Sequence, residues 1–175
     1  MQIIIFEGLP LVGKTTLINY IRSLNNKEIK CVDELILDTE ELNQDSFMKN
    51  DIEKVNKYKD GLVFIDKAFI ATLSYNQMLD YLNGNKDLRK VEEWFKKEAI
   101  PFYKRDDVLT LYLKSKEMRL RETNPNTPHG SIENQKKIEE ITLNNIKTYC
   151  KNFEIVNYEQ NEMGAFVDEI INKYL

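Results

Sequence analysis

With 175 residues, 42% apolar and 31% charged, the chain is long enough to bury a core without covalent staples and too apolar to stay disordered. A net charge of −4 supplies no basic field for a nucleic-acid polymer or an acidic membrane surface, and no apolar run approaches the roughly 18 residues of a membrane span. Cys31 and Cys150 lie far apart in no metal-binding spacing and read as reduced core thiols; no secretory leader pattern opens the chain, so the expected compartment is the cytoplasm.

Apolar runs and helical periodicities alternate. Ile3 to Phe6 reads as a buried strand, and Lys14 to Leu24 as a helix with Leu17, Ile18 and Ile21 on one side. Ile29 to Val32 is a second strand. The charged stretch from Asp38 to Asp60 holds one amphipathic helix, marked by Phe47, Ile52, Val55 and Tyr58. Gly61 precedes an apolar run that stops at Asp66. Lys67 to Leu82 is then helical, closed by Asn83-Gly84, and Asp87 to Tyr103 is a further helix with Val91, Trp94, Phe95 and Ile100 inward. Val108 to Leu113 is a strand, and a helical turn around Met118 leads into the loop TNPNTPHGS. Ile132 to Cys150 is helical, Phe153 to Val156 a short strand and Glu162 to Leu175 the last helix.

Short, wholly apolar strands between helices predict one α/β domain over 1–175, with a parallel sheet covered on both faces. Ligands of such sheets bind beyond the carboxyl ends of the strands. Three strands end there in charge: Phe6-Glu7, Val32-Asp33-Glu34 and Ile65-Asp66.

The first of these runs into GLPLVGKTT, in which Gly8 to Thr15 has the spacing G-x-x-x-x-G-K-T of a phosphate-binding loop. The loop follows a strand and opens a helix, where unpaired N–H groups and the helix dipole favour an anion. Gly8 and Gly13 let the chain curl, and the amides of Leu11, Val12, Gly13, Lys14, Thr15 and Thr16 face the phosphates. Lys14 would reach the β- and γ-phosphates of ATP, and the Thr15 hydroxyl would ligate Mg²⁺. Asp66 suits the metal through water, and equally suits a cap for the next helix. A GTPase switch is excluded, because Lys67, Ala68 and Phe69 follow Asp66 where a glycine is required, and NKDL at Asn85 to Leu88 lacks the base-reading Asp. A small kinase is what is left.

These residues carry a resemblance. FEG at Phe6 to Gly8 with GKTT at Gly13 to Thr16 resembles the opening of thymidylate kinases and deoxynucleoside kinases. FIDKAFIATLSYN, from Phe64 to Asn76, is similar without gaps to their D-R-Y-x-x-S-S-L-A-Y-Q, with Asp66, Thr72, Leu73 and Tyr75 matching and Asn76 replacing the glutamine. VLTLYLKSKEMRLRE resembles the strand and arginine-bearing lid helix of that family, and FEIVNYEQ its last strand and adenine-holding loop. The resemblance implies a three-layer P-loop NTPase fold, a five-stranded parallel sheet of order 2-3-1-4-5, and a lid over about 115–135. It also implies transfer of the γ-phosphoryl of Mg·ATP to a nucleoside or nucleoside monophosphate.

By the same resemblance, Asp33 or Glu34 stands where the carboxylate that accepts a 5′-hydroxyl proton belongs, and Arg119 or Arg121 would close over the phosphates from the lid. Lys67 replaces the family's arginine, keeping the charge but losing the bidentate fork that grips a phosphate, and Asp33-Glu34-Leu35 replaces Arg-Glu-Pro, which removes a cation from the acceptor-phosphate pocket. Glu7 could anchor the loop or an acceptor hydroxyl, and Lys67 neutralise an acceptor phosphate. Phe69 and Tyr75 could stack on an acceptor base, although aromatics at helical spacing also suit a core, and Asn76 could reach a base edge. His129, alone in the lid loop, reads as inert. The expected partner is thus a small-molecule phosphoryl acceptor, with no nucleic-acid polymer, no membrane and a possible homodimer. Open beside it are a kinase of another small hydroxyl compound such as an antibiotic, and a nucleotide-binding regulatory module that transfers nothing.

Overall fold

Side chains alternate across a strand, and the first strand uses both faces. In β1 (Gln2–Glu7), Ile3 and Ile5 join one apolar cluster while Ile4 and Phe6 join another. That double burial places β1 at the centre of the sheet. The computed structural model describes residues 1–38, 42–114 and 123–175. Five strands, β1, β2 (Ile29–Val32), β3 (Leu62–Asp66), β4 (Val108–Lys114) and β5 (Phe153–Asn157), pair in parallel in the order β2-β3-β1-β4-β5. This is the predicted order. β5 is the half-exposed edge, and β2, the other edge, is largely covered.

One face of the sheet is covered by α1 (Lys14–Ser23) and α7 (Met163–Tyr174), through Leu17, Ile18, Ile21, Val167 and Ile170. The other face carries α2 (Gln44–Asn56), α3 (Phe69–Asn83), α4 (Leu88–Trp94), α5 (Ile100–Tyr103) and α6 (Ile132–Tyr149). Three layers result. The single helix predicted over Asp87–Tyr103 is helical throughout but not uniformly α: a wide π turn, Phe95–Ala99, joins α4 to α5. Pro101 explains it, because a proline ring inside a helix removes one N–H and collides with the carbonyl four residues back. Cys150 is buried and Cys31 partly buried, both unpaired thiols. The turn expected around Met118 lies outside the described residues. Among the described residues no helix is long and apolar enough to cross a membrane.

Phe69 corrects one expectation. It is 1% exposed and packs on Trp94, Phe102 and Tyr103 at ring-centroid distances of 5.3, 5.6 and 6.1 Å, so it belongs to the core and offers no face to a base. The reason is that the first turn of α3 points this ring at α4 and α5. Phe69→Ala is expected to cost about 3–5 kcal/mol, read as a lower urea midpoint with the slope of unfolding unchanged.

Candidate active site

The loop between β1 and α1 is shaped by two glycines and one strained leucine. Gly8 has φ +145°, and a Cβ there would lie 2.6 Å from the Leu113 carbonyl oxygen, so the loop passes against β4 where only glycine fits. Gly13 has φ +100° and touches the Gln160 side chain, which leans over the loop from the segment after β5. Leu11 is left-handed at φ +66°, costing of order 1 kcal/mol, and its side chain is exposed while Val12 drops into the core. Their amides are what remains for an anion. Lys14 Nζ donates to the carbonyls of Gly8 at 2.9 Å and Leu9 at 2.7 Å, a buried ammonium at the neck of the loop. Burial, then the neighbouring Lys67, lower its pKa to about 8 against the pull of Asp66, Glu7 and Glu34.

Asp66 ends β3 beside this loop. Its Oδ2 accepts from the Thr15 hydroxyl at 2.9 Å, and its buried Oδ1 has no hydrogen-bond partner. Buried carboxylate oxygens without a partner are costly, and this one belongs to a carboxylate already held against a threonine hydroxyl. Two oxygens so arranged fit a hard divalent cation approached partly through water. Lys67 follows in the left-handed region at φ +55°, which turns its side chain away from the strand direction and toward Glu34.

Asp33 and Glu34 separate. The chain bends at Glu34, just past the end of β2, and Asp33 turns outward to pair with Arg22 at 2.7 Å, lining no cavity at the strand ends. Glu34 turns inward, its Oε1 2.7 Å from Lys67 Nζ. Burial raises the Glu34 pKa, but Lys67, Lys54 and Lys14 outweigh that and hold it below the usual carboxylate range. Burial likewise opposes the charge on Lys67, yet Glu34, with Glu7 and Asp66 behind it, keeps that ammonium above its ordinary value.

Two cavities meet at this ion pair. One, of about 510 Å³, is walled by Leu11, Gly13, Lys14, Thr15, Thr16 and Gln160. The other, of about 430 Å³, is walled by Glu7, Phe47, Thr72, Tyr75, Asn76 and His129 among others. Pro10, Glu34 and Lys67 line both. Tyr75 keeps an exposed ring at the second cavity, as a stacking role requires. Asn76 does not have the freedom expected of it: it is 2% exposed, donates to the Thr72 carbonyl at 2.9 Å and accepts from Asn85 Nδ2 at 2.8 Å. Arg119 and Arg121 lie outside the described residues.

Glu7 is fully buried at the rim of the second cavity, where it accepts from the Ala68 N–H at 3.1 Å. Burial pushes its pKa up to about 7, against the Ala68 N–H and the charges of Lys67, Lys14 and Lys54. A carboxyl raised on folding holds its proton more tightly in the native state. Its contribution is therefore fully present below pH 4.5 and lost as pH rises to about 7. Glu7→Gln is expected to gain stability relative to the parent across that interval, by up to about 3 kcal/mol, and the difference should be flat above pH 8. Paired urea titrations at pH 5 and pH 8 measure it; a constant difference would refute the raised pKa.

One residue of the site has no counterpart among the sequence expectations. Lys54 of α2 is 1% exposed, and its Nζ donates to the carbonyls of Glu34 at 3.1 Å and Asp66 at 2.8 Å. It lies 3.8 Å from Asp51, which in turn accepts from the Thr72 hydroxyl at 2.7 Å. Burial lowers the Lys54 pKa and raises that of Asp51, each opposed by the other.

No protein-family model matches the chain, and no curated protein matches it in sequence. Solved structures do match. Deoxyadenosine kinase from M. mycoides, with bound dATP, aligns at a TM-score of 0.65 and 14% identity over 98% of this chain and 100% of that one. Thymidylate kinase from Candida albicans aligns at 0.64 and 16%, over 98% and 91%. Thymidylate kinase from Ehrlichia chaffeensis aligns at 0.61 and 14%, over 97% and 98%. At such identities the likeness is one of fold, and it spans the whole chain: this protein has the three-layer, 2-3-1-4-5 fold of the P-loop nucleoside and nucleotide kinases.

Proposed function

We propose that the protein is an ATP-dependent phosphotransferase whose acceptor is the hydroxyl of a nucleoside. The observation that carries this reading is the Glu34–Lys67 pair, which stands at the junction of a phosphate-loop cavity and a second, more enclosed recess. The kinase neighbours of the fold act on nucleosides and nucleotides, as their names state. Between a neutral and an anionic acceptor, charge decides. Among the described residues lining the second cavity, Lys67 is the sole Lys or Arg, it is paired with Glu34, and Glu7 adds a further carboxyl. A phosphate would meet little compensation there, whereas a hydroxyl needs a base and finds one.

In this reading the loop amides and Lys14 hold the triphosphate, and Thr15 with Asp66 would hold Mg²⁺, Asp66 through water. Bound Mg²⁺ neutralises phosphate charge. Glu34 orients the acceptor hydroxyl and takes its proton, and Lys67 keeps that carboxylate ionised and in place. Arg119 or Arg121 would approach the transferring group from the 115–135 segment, which also keeps water from competing as the acceptor. The chain works as one domain over 1–175 in the cytoplasm, alone or as a homodimer.

Coupled ADP release with Mg·ATP against nucleosides, nucleoside monophosphates and non-nucleoside alcohols tests the proposal. Nucleoside-dependent release is the expected result. Release with monophosphates alone would overturn the choice of acceptor, and ATP binding without turnover on any acceptor would make the protein a nucleotide-binding module.

A further inference from the structure

Most polar side chains around the second cavity are already engaged within the protein. Thr72 donates to Asp51 at 2.7 Å, Thr142 to the Ile138 carbonyl at 2.7 Å, and Tyr112 to Glu139 at 3.2 Å. Ser74 accepts from Asn145 at 3.0 Å, Asn76 is held by Asn85, and Asn43 caps α2. Two side chains differ. Gln44 Nε2 and His129 Nδ1 are shielded from solvent without any hydrogen-bond partner, and both residues line this cavity. An unmet buried polar atom has given up its hydrogen bonds to water with nothing in return. Only five such side-chain atoms occur among the described residues, so two in one recess is a concentration that asks for a ligand.

The main chain under each is fixed. Gln44 opens α2 directly behind the reciprocal Asn43–Ser46 capping box. The loop before α6 is tied by Asn134, which donates to the carbonyls of Pro125 at 2.6 Å and Thr127 at 2.9 Å, and by Gln135, which donates to the His129 carbonyl at 2.9 Å. The imidazole leans on the Tyr75 ring with centroids 6.2 Å apart. An N–H buried without an acceptor costs more than a bare nitrogen, so the proton belongs on Nε2. Burial, with Lys67 and Lys14 nearby, lowers the imidazole pKa to about 4, which keeps the ring neutral.

We propose that Gln44 and His129 are the specificity-determining pair of this cavity, two neutral side chains that hydrogen-bond the polar edge of a heteroaromatic acceptor ring. This rests on the reading that the cavity holds the acceptor. A turn of the Gln44 amide or of the imidazole about its own bonds brings each group onto the bound ring. The Gln44 amide offers N–H donors and the bare His129 Nδ1 accepts, so the matching ligand edge carries both a carbonyl oxygen or ring nitrogen and an N–H donor. Nucleobases have both. Asn76, occupied by Asn85, leaves this task to them.

The test uses the full chain with Gln44→Leu and His129→Phe. For the 2′-deoxynucleoside that the parent binds best, each variant is expected to raise acceptor KM and calorimetric Kd about tenfold while KM for ATP stays constant. The thermal midpoint should hold or rise, because an apolar group of similar size replaces an unmet polar one. Deaza analogues of that nucleoside, with one ring nitrogen replaced by C–H, should weaken on the parent and lose nothing further on the variant that reads that nitrogen. Acceptor Kd unchanged in both variants would overturn the pair alone. A lowered midpoint with ATP and acceptor affinities falling together would make the residues structural and overturn it too. Absence of any nucleoside binding to the parent removes the acceptor reading, and the pair with it.

Discussion

Lys14→Ala is expected to lower kcat by at least about 10²–10³-fold without loss of the fold. The Lys14 ammonium sits at the neck of the phosphate loop, and in phosphoryl transfer the protein contributes chiefly position and charge. Its effect on stability should be small or favourable. The folded state lowers this pKa to about 8, so the native structure disfavours the charged form and gains when it is removed at neutral pH. Two hydrogen bonds to Gly8 and Leu9 are lost in exchange. Coupled ADP release and thermal unfolding on the same preparation separate the two quantities. Unchanged turnover would refute the role given to the loop, and an unfolded variant would refute the stability argument.

Glu34→Gln should reduce turnover of a nucleoside by about 10²–10⁴-fold, the range for a positioned general base. A monophosphate offered to the same variant has no proton to give up at the attacking oxygen, so its loss should be far smaller. The amide keeps the shape of the carboxylate and breaks only its charge toward Lys67. Because the Glu34 side chain is 51% exposed, the ion pair itself contributes little to stability, and the midpoint should barely move. Equal losses on both acceptors would remove the base assignment. Asp33→Asn is the control: it severs only the outer pair with Arg22 and should leave turnover intact.

What the sequence made legible was whatever depended on local pattern. Short apolar-rich runs set out five strands, and a fixed spacing of glycine, lysine and threonine set the loop between the first of them and α1. What it hid depended on which way a side chain turned. Asp33 and Glu34 are chemically alike and adjacent, so only the direction of the chain after β2 distinguishes the outward from the inward one. Phe69 read as a candidate base platform because a helix covering a sheet and a helix lining a recess share one periodicity. Lys54 was invisible for the opposite reason: it sits in a charged stretch that reads as solvated, yet its stem and ammonium are wholly enclosed. His129 read as inert since nothing in a loop of Pro, Asn and Gly announces that α6 fastens it against Tyr75.

Lys54 carries a mechanical consequence. Its ammonium grips the chain at Glu34 and at Asp66 together, and so ties the tips of β2 and β3 beneath the Lys67–Glu34 pair and in addition to their ladder. The Glu34 and Asp66 carboxylates therefore ride on a common yoke. A shift of either strand tip would have to strain a buried ammonium whose hydrogen bonds span both.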